Sequence, residues 1–298
     1  MFLTDRPTIQ EVGYKTYVIN CYGMQAPMLF VGEKRALLAD TGLGNCDLRG
    51  LIEQFVDVPV EVVVTHEHAD HVGGIVQFDK VYAPEMEIET IKTYDTAFMQ
   101  KFLDFFIQLI QEEDGTIGCF KPEKKMLSWD KIPKLLPLRD GDRFDLGGRT
   151  VTAYRCQVHS KGHMVLVDDL SRILYAADSI SDNTGPANNP MNPKTYVSLE
   201  DEIRGLENIK QYADTFDRIF TGHVGWGGDL RFSGSFEPDV IDRMIAVGKN
   251  VLSGELEIKL EEEEGHGIRN YAELGRTRLY FFKQFLRDED LPQEYRYC

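Results

Sequence analysis

Four side chains that can bind a metal ion stand within six consecutive positions. They are His66, His68, Asp70 and His71, and they directly follow an apolar run at 62–64. On an extended segment, residues two apart project to the same side, so His66 and His68 point together, and a turn after them lets Asp70 and His71 reach a second centre. Imidazole and carboxylate ligands favour zinc or iron over calcium or magnesium. The spacing therefore predicts a transition-metal site.

This segment resembles the H-x-H-x-D-H motif of the metallo-β-lactamase superfamily. The other landmarks of that family occur in the same order along the chain. These matches are Asp40-Thr41-Gly42 after a predicted strand, His159, Asp178 after a second strand, and His223 after a third. The resemblance covers about residues 15–225.

The resemblance implies a four-layer αββα sandwich of the α/β class, with the site at one edge between two sheets. It assigns His66, His68 and His159 to one metal ion, Asp70, His71 and His223 to a second, and Asp178 to both. Asp40 is then not a ligand but a buried carboxylate that orients the ligand loop, which such sites commonly need. We expect His163 to support or pack against the site in the same way.

The expected activity is hydrolysis of an ester, thioester or lactone. Two cations that share Asp178 and a water would lower the pKa of that water toward neutrality and so provide a bridging hydroxide. Asp70 is expected to be catalytic as well, by shuttling a proton as the bond breaks. The expected cofactors are two zinc ions, with iron or manganese as alternatives.

Other functions remain open at this point. They are a phosphodiesterase, a mononuclear-iron oxygenase of the persulfide dioxygenase kind, and a binding protein without turnover. An antibiotic-degrading β-lactamase is disfavoured, because many of those enzymes carry Cys where this chain has Asp178. A flavodiiron-like oxidoreductase is disfavoured as well, since it typically has Glu at the position of His68.

Charge and composition limit the kinds of substrate and partner that we expect. The chain has 33 Lys and Arg against 49 Asp and Glu, a formal net charge of −16, which repels phosphate backbones and anionic membranes. We expect a small-molecule substrate, no nucleic acid and no membrane, and a homodimer stays open. The first residues do not resemble a signal peptide, which favours a cytoplasmic protein. Five scattered cysteines without a C-x-x-C motif are interpreted as buried or idle thiols.

The elements that must position these residues form two similar halves within a single predicted domain, 1–298. Alternating or apolar runs predict strands at 15–21, 27–31, 35–38, 58–64, 150–156, 163–167, 172–175 and 217–220. Three- and four-residue spacing predicts helices at 47–55, 199–212 and 238–252. A C-terminal extension near 254–298 is interpreted as a hairpin or a helix pair.

A helical insertion near 85–113 is the main departure from this regular plan. Phe98, Phe102, Phe105 and Phe106 recur there at helical spacing. This phenylalanine-rich face has three alternative roles: it covers the mouth of the site, forms a dimer contact, or packs against the scaffold.

Overall fold

The structure is a computed structural model, and it describes residues 6–54, 56–112, 123–186, 196–224, 234–263 and 267–296. Seven strands of the first half form one sheet in chain order: β1 Thr8–Gly13, β2 Thr16–Asn20, β3 Met28–Val31, β4 Ala36–Ala39, β5 Val60–Val63, β6 Lys80–Pro84 and β7 Lys134–Leu138. Strands β1 to β4 are antiparallel and β4 to β7 are parallel.

A second sheet holds five strands of the second half. They are β8 Arg143–Asp145, β9 Thr150–Arg155, β10 Met164–Asp168, β11 Ile173–Ala177 and β13 Arg218–Thr221, in the order β13-β11-β10-β9-β8. Only the pair β11 and β13 is parallel. The segment between them therefore crosses over, and it carries a helix, as parallel neighbours require.

Alternation along the strands explains why the two sheets stack. In β4, Leu37 and Ala39 pack between the sheets, whereas Leu38 packs on the outer face of the first sheet. In β10, Leu166 points between the sheets and Val165 points outward. Because both faces of each sheet bury apolar side chains, helices must cover both outer faces. The result is the expected αββα sandwich.

Six helices lie in the described part of the chain. They are α1 Leu48–Glu53, α2 Ala69–Val72, α3 Ile88–Ile91, α4 Thr96–Glu112, α5 Leu199–Lys210 and α6 Asp239–Ser253. Their ends follow local signals: the side chain of Asp47 accepts from Gly50 N at the start of α1, and α6 ends at Gly254, which has φ +80°. None of the helices in these ranges has the length and apolar character needed to span a membrane.

Helix α4 docks on the first sheet through one narrow stripe. Met99, Leu103 and Ile107, spaced four apart, are buried in the outer core. Burying three such side chains contributes about 5 to 9 kcal/mol, which is enough to hold the helix in place. The neighbouring stripe of Phe98, Phe102 and Phe106 is only half-buried.

The C-terminal region forms a third sheet. Strands β14 Lys259–Glu263, β15 Gly267–Leu274 and β16 Thr277–Phe281 are antiparallel, and β12 Asn183–Thr184 adds to β16 in parallel. The hairpin alternative is therefore the correct one for this region. Ala272, Leu279 and Phe281 pack with α5 and α6 in the outer core of the second sheet.

The observed elements differ from the predicted ones in particular places. Strands β1, β6, β7 and β8 were not predicted. Strand β7 contains Pro137, which argues against a strand, and it lies at the edge of the sheet, where Pro is tolerated. The predicted helical segment 85–113 contains the short helix α3 and the long helix α4, and its last residue lies outside the described residues. Residues 183–184, which lie outside the predicted strands, form β12.

Candidate metal centre

The site residues follow strand ends that meet at one edge of the sandwich. Asp40 follows β4 and His66 follows β5, which are parallel neighbours in the first sheet. Asp178 follows β11 and His223 follows β13, which are parallel neighbours in the second sheet. The carboxyl ends of parallel strands lie side by side, so the chain order places these residues at a common edge.

Three histidines form the first cluster of potential ligands. His66 Nε2 lies 2.9 Å from His68 Nδ1, and His159 Nε2 lies 3.0 Å from the same atom. His66 and His68 come from the loop after β5, whereas His159 comes from the loop between β9 and β10. The first cluster therefore brings together the three residues that the family resemblance assigned to one metal ion.

Four residues form the second cluster, with ligand atoms within 4.8 Å of one another: Asp70, His71, Asp178 and His223. His223 Nε2 lies 3.2 Å from Asp178 Oδ2 and 3.3 Å from Asp70 Oδ2. Asp178 Oδ2 also lies 3.5 Å from His159 Nε2 in the first cluster. Asp178 thus stands between the two clusters, as expected of a residue shared by two ions.

Hydrogen bonds fix which nitrogen faces the centre. In three of the histidines Nδ1 contacts an acceptor oxygen, so in the neutral ring this nitrogen carries the proton and Nε2 presents a lone pair. The contacts are His71 Nδ1 to Asp40 Oδ2 at 2.9 Å, His159 Nδ1 to Gly185 O at 2.9 Å and His223 Nδ1 to Met24 O at 3.2 Å. Lone pairs from both sheets therefore converge on one small volume.

The residues of the second cluster fit a divalent cation. His71 Nε2 and Asp178 Oδ1 face each other at 3.3 Å, and neither atom has a hydrogen-bond partner in the described part of the chain. A buried lone pair opposite a buried carboxylate oxygen is costly unless a cation lies between them. Histidine and aspartate ligands without any thiolate suit zinc, and they suit iron as well.

The two clusters differ in their electrostatics. In the first cluster, burial lowers the pKa of His68 to about 4 and that of His159 to about 3, so both rings are neutral at pH 7. In the second, burial disfavours charge on His223, but Asp178 and Asp70 outweigh it and raise the pKa of His223 to about 9. The second cluster therefore attracts positive charge more strongly than the first.

Asp40 accepts several hydrogen bonds next to the second cluster. Its side chain accepts from Thr65 N at 2.7 Å, from the Thr65 hydroxyl, from His71 Nδ1 and from Tyr175 Oη at 2.9 Å. It is 1% exposed. Asp40 thus holds the ring of His71, a potential ligand, from outside both clusters. Tyr175 was not singled out in the sequence.

A buried pair of glutamates supports the first cluster, and the sequence did not reveal it. Glu87 accepts from Glu67 N at 2.8 Å, from the Ser160 hydroxyl at 2.6 Å and from Gly162 N at 2.9 Å. It therefore joins the loop of His66 and His68 to the loop of His159. Burial, together with the nearby Glu67, raises the pKa of Glu87 to about 8. Both glutamates are fully buried.

His163 and Gly222 complete the packing around the ligands. The ring of His163 stacks on that of His66, with centroids 4.7 Å apart, and burial holds its pKa well below the usual range. A Cβ at Gly222 would lie 2.6 Å from His71 Cε1 and 2.9 Å from Asp178 Oδ1. Only glycine leaves room for the second cluster at that position.

Comparisons with known proteins agree with this architecture. Residues 22–241 match the family model of the metallo-beta-lactamase superfamily. The human protein named acyl-coenzyme A thioesterase MBLAC2 is 28% identical over 216 residues, which cover 67% of this chain and 73% of the relative. A hydroxyacylglutathione hydrolase of Rhodopseudomonas palustris is 23% identical over 180 residues, 60% of this chain and 54% of that protein.

Solved structures show the same fold at lower identity. A metallo-beta-lactamase from Pontibacter korlensis superposes with a TM-score of 0.53 at 15% identity, covering 81% of this chain and 98% of that one. The DIM-1 metallo-beta-lactamase gives a TM-score of 0.52 at 12% identity, with 83% and 98% covered. The family model spans well over half of the sequence and includes every residue of both clusters. The chain therefore belongs to the metallo-beta-lactamase superfamily.

Proposed function

We propose that this protein is a dinuclear zinc-dependent hydrolase that cleaves a thioester. The observation that carries the proposal is the position of Asp178 between the two clusters, within 3.5 Å of His159 on one side and 3.2 Å of His223 on the other. A single cation needs only one of these clusters, so the shared carboxylate favours two. Zinc suits both donor sets.

The thioester is inferred from the relatives. Acyl-coenzyme A and hydroxyacylglutathione, which appear in the names of two of them, are both thioesters. The net charge of −16 disfavours a polyanionic nucleic acid as substrate. Among an ester, a thioester and a lactone, these observations favour the thioester. We propose a small-molecule substrate and a cytoplasmic location.

Residues of the two clusters would have separate roles in hydrolysis. When bound, two zinc ions lower the pKa of water toward neutrality and polarise a carbonyl. His71 and His223 keep Nε2 aimed inward because Asp40 and Met24 O hold the opposite nitrogen. Asp70 Oδ2 lies 3.3 Å from His223 Nε2, and we assign Asp70 the transfer of a proton from the attacking water to the departing sulfur.

Metal content and turnover test this proposal together. The parent protein, Asp178→Ala and the exposed control Asp214→Ala are purified without added metal and analysed by elemental mass spectrometry. We expect about two zinc ions per chain in the parent and the control, and about one or none in Asp178→Ala. Hydrolysis of an acyl thioester is measured through the free thiol that it releases. We expect this activity to be lost in Asp178→Ala and kept in the parent and in Asp214→Ala.

Two results would overturn the proposal in different ways. One iron per chain, with oxygen consumed, would point to a mononuclear oxygenase instead of a hydrolase. If the protein binds two zinc ions but hydrolyses no thioester, the proposed metal centre would stand and the proposed substrate class would be wrong.

A further inference from the structure

A continuous row of aromatic rings runs along α4 toward the metal centre. We name Phe98, Phe102 and Phe106 the aromatic row. Neighbouring rings within it lie 5.8 Å apart, and Tyr94 stacks on Phe98 at 4.6 Å. The three positions are four residues apart, so they form one stripe about 12 Å long on the helix.

One end of this stripe reaches the second cluster. The ring of Phe106 lies parallel to that of His223, with an interplanar angle of 9° and centroids 6.2 Å apart. At the other end, the Tyr94 hydroxyl donates to Glu67 Oε2 at 3.1 Å, and Glu67 lies between His66 and His68 in the chain. The aromatic row therefore begins beside His223 of the second cluster and, through Tyr94, ends near a buried residue of the loop that carries His66 and His68.

Packing against the sheet accounts for only part of the surface of the row: the three rings pack against the outer core of the first sheet, yet each stays half-buried. The adjacent stripe of Met99, Leu103 and Ile107 already docks the helix on the core and is buried. The rings of the row keep part of their surface exposed, whereas the fully exposed positions of the helix include Lys101 and Asp104. A second apolar stripe beside the docking stripe is typical of a surface that meets an apolar ligand.

We propose that the aromatic row binds the acyl chain of the substrate, and this inference rests on the proposed thioesterase activity. A carbonyl placed between the two clusters lies next to His223, so a substituent that continues past Phe106 runs along the row toward Phe98. The three rings carry no charge and no hydrogen-bonding group, so they select an aliphatic arm over a polar one. The row thus makes the enzyme selective for longer acyl chains.

The test varies the acyl chain and keeps the thiol constant. Acetyl, octanoyl and palmitoyl thioesters of N-acetylcysteamine are compared as substrates of the parent protein, Phe102→Ala and Tyr212→Ala. In the described part of the chain the ring contacts of Phe102 are with Phe98, Phe105 and Phe106, so its substitution should leave both clusters in place. Tyr212 is the matched control, because it is a half-buried aromatic residue that stacks on Tyr154 at 4.0 Å, in the layer on the far side of the second sheet.

We expect Phe102→Ala to raise KM for the octanoyl and palmitoyl thioesters by about tenfold, with kcat/KM for the acetyl thioester close to that of the parent. Phe102→Leu should recover much of the difference, and Tyr212→Ala should leave the chain-length preference unchanged. An equal loss for all three substrates would overturn the inference. So would a parent protein with no preference for longer chains.

Two further measurements separate this inference from its alternatives. Light scattering of the parent and Phe102→Ala compares their molar mass; a change from dimer to monomer with unchanged kinetics would assign the row to a contact between copies and overturn the proposal. If the parent hydrolyses no thioester, the proposed function fails on its own. Calorimetric titration with palmitate then tests the row: binding that Phe102→Ala abolishes supports it, and no binding refutes it.

Discussion

Replacing Asp40 by Asn should remove one metal ion and leave the other. The Asn oxygen must face Thr65, whose backbone N–H can only donate and lies 2.7 Å from the carboxylate. The new NH2 group then faces His71 Nδ1, 2.9 Å away, and can only donate to it. His71 must therefore accept at Nδ1 and carry its proton on Nε2, the atom that faces the second cluster.

The size of this effect follows from the hydrogen bond that is lost. A charge-assisted hydrogen bond contributes about 1.5 to 3 kcal/mol, and the wrong tautomer must be reversed at that cost before His71 can bind a cation. This corresponds to a loss of about 10- to 100-fold in affinity at the second cluster. Asn also tolerates the positive φ of 63° that Asp40 adopts, so the backbone is not disturbed.

The assay is a zinc titration of the metal-free protein against a chromophoric chelator. We expect the parent protein to bind two ions and Asp40→Asn to keep one with parental affinity. Asp168→Asn is the control: Asp168 is equally buried and pairs with Arg149, at the end of β10 away from the site. It should lower thermal stability and leave both ions bound. Two ions of parental affinity in Asp40→Asn would refute the tautomer argument, and an equal loss of both would indicate general unfolding.

Three other substitutions or reactions test the surroundings of the site. Glu87→Ala leaves three buried donors without an acceptor and should weaken zinc binding at the first cluster by about 10- to 100-fold; the same chelator titration checks this, and an effect on the second cluster alone would contradict it. Gly222→Ala forces His71 and Asp178 apart, so it should lower the free energy of unfolding by about 1 to 3 kcal/mol and abolish binding of the second ion. Calorimetry measures the stability and elemental analysis measures the metal content. A zinc content equal to that of the parent would show that the loop shifts to accommodate the methyl group. Burial raises the pKa of Cys156 to about 12, so its thiol stays protonated in the folded chain while the unfolded chain ionises near its ordinary value of 9.0. The contribution of Cys156 to stability is therefore complete below pH 9 and falls as pH rises above it. Peptide mapping after iodoacetamide at pH 9 should find Cys156 unmodified, and rapid labelling in the folded protein would contradict the predicted burial.

The residues of the two clusters could be singled out from the sequence because histidine is rare in this chain and because each cluster residue follows a predicted strand or the family motif. Three of the seven histidines lie directly after the apolar run that becomes β5, and the other landmarks follow later strands. The apolar alternation of β4 and β10 likewise predicts two faces for each strand, which requires stacked sheets. The fold class follows from these patterns and from the family motif.

Glu87 could not be predicted, because its environment depends on a strand that local patterns obscure. In the sequence Glu85-Met86-Glu87 it looks like a surface acid. Its burial follows from its place just after β6, at the same sheet edge as His66, and β6 is held between β5 and β7. Because β7 contains Pro137, the residues of this part of the sheet show too little alternation to be identified as strands. Recognising β6 would have drawn attention to the acid at its carboxyl end.

The division of the ligands between the two sheets has a consequence for folding. The chain up to Leu138 supplies His66, His68, Asp70 and His71, and the chain after it supplies His159, Asp178 and His223. Each cluster draws on both halves. A cation bound at either one therefore acts as a cross-link between segments about ninety or more residues apart, comparable in effect to a disulfide that closes a long loop. Neither half alone can complete a cluster. Binding of a metal ion at either cluster would therefore require that the two sheets have already packed against each other.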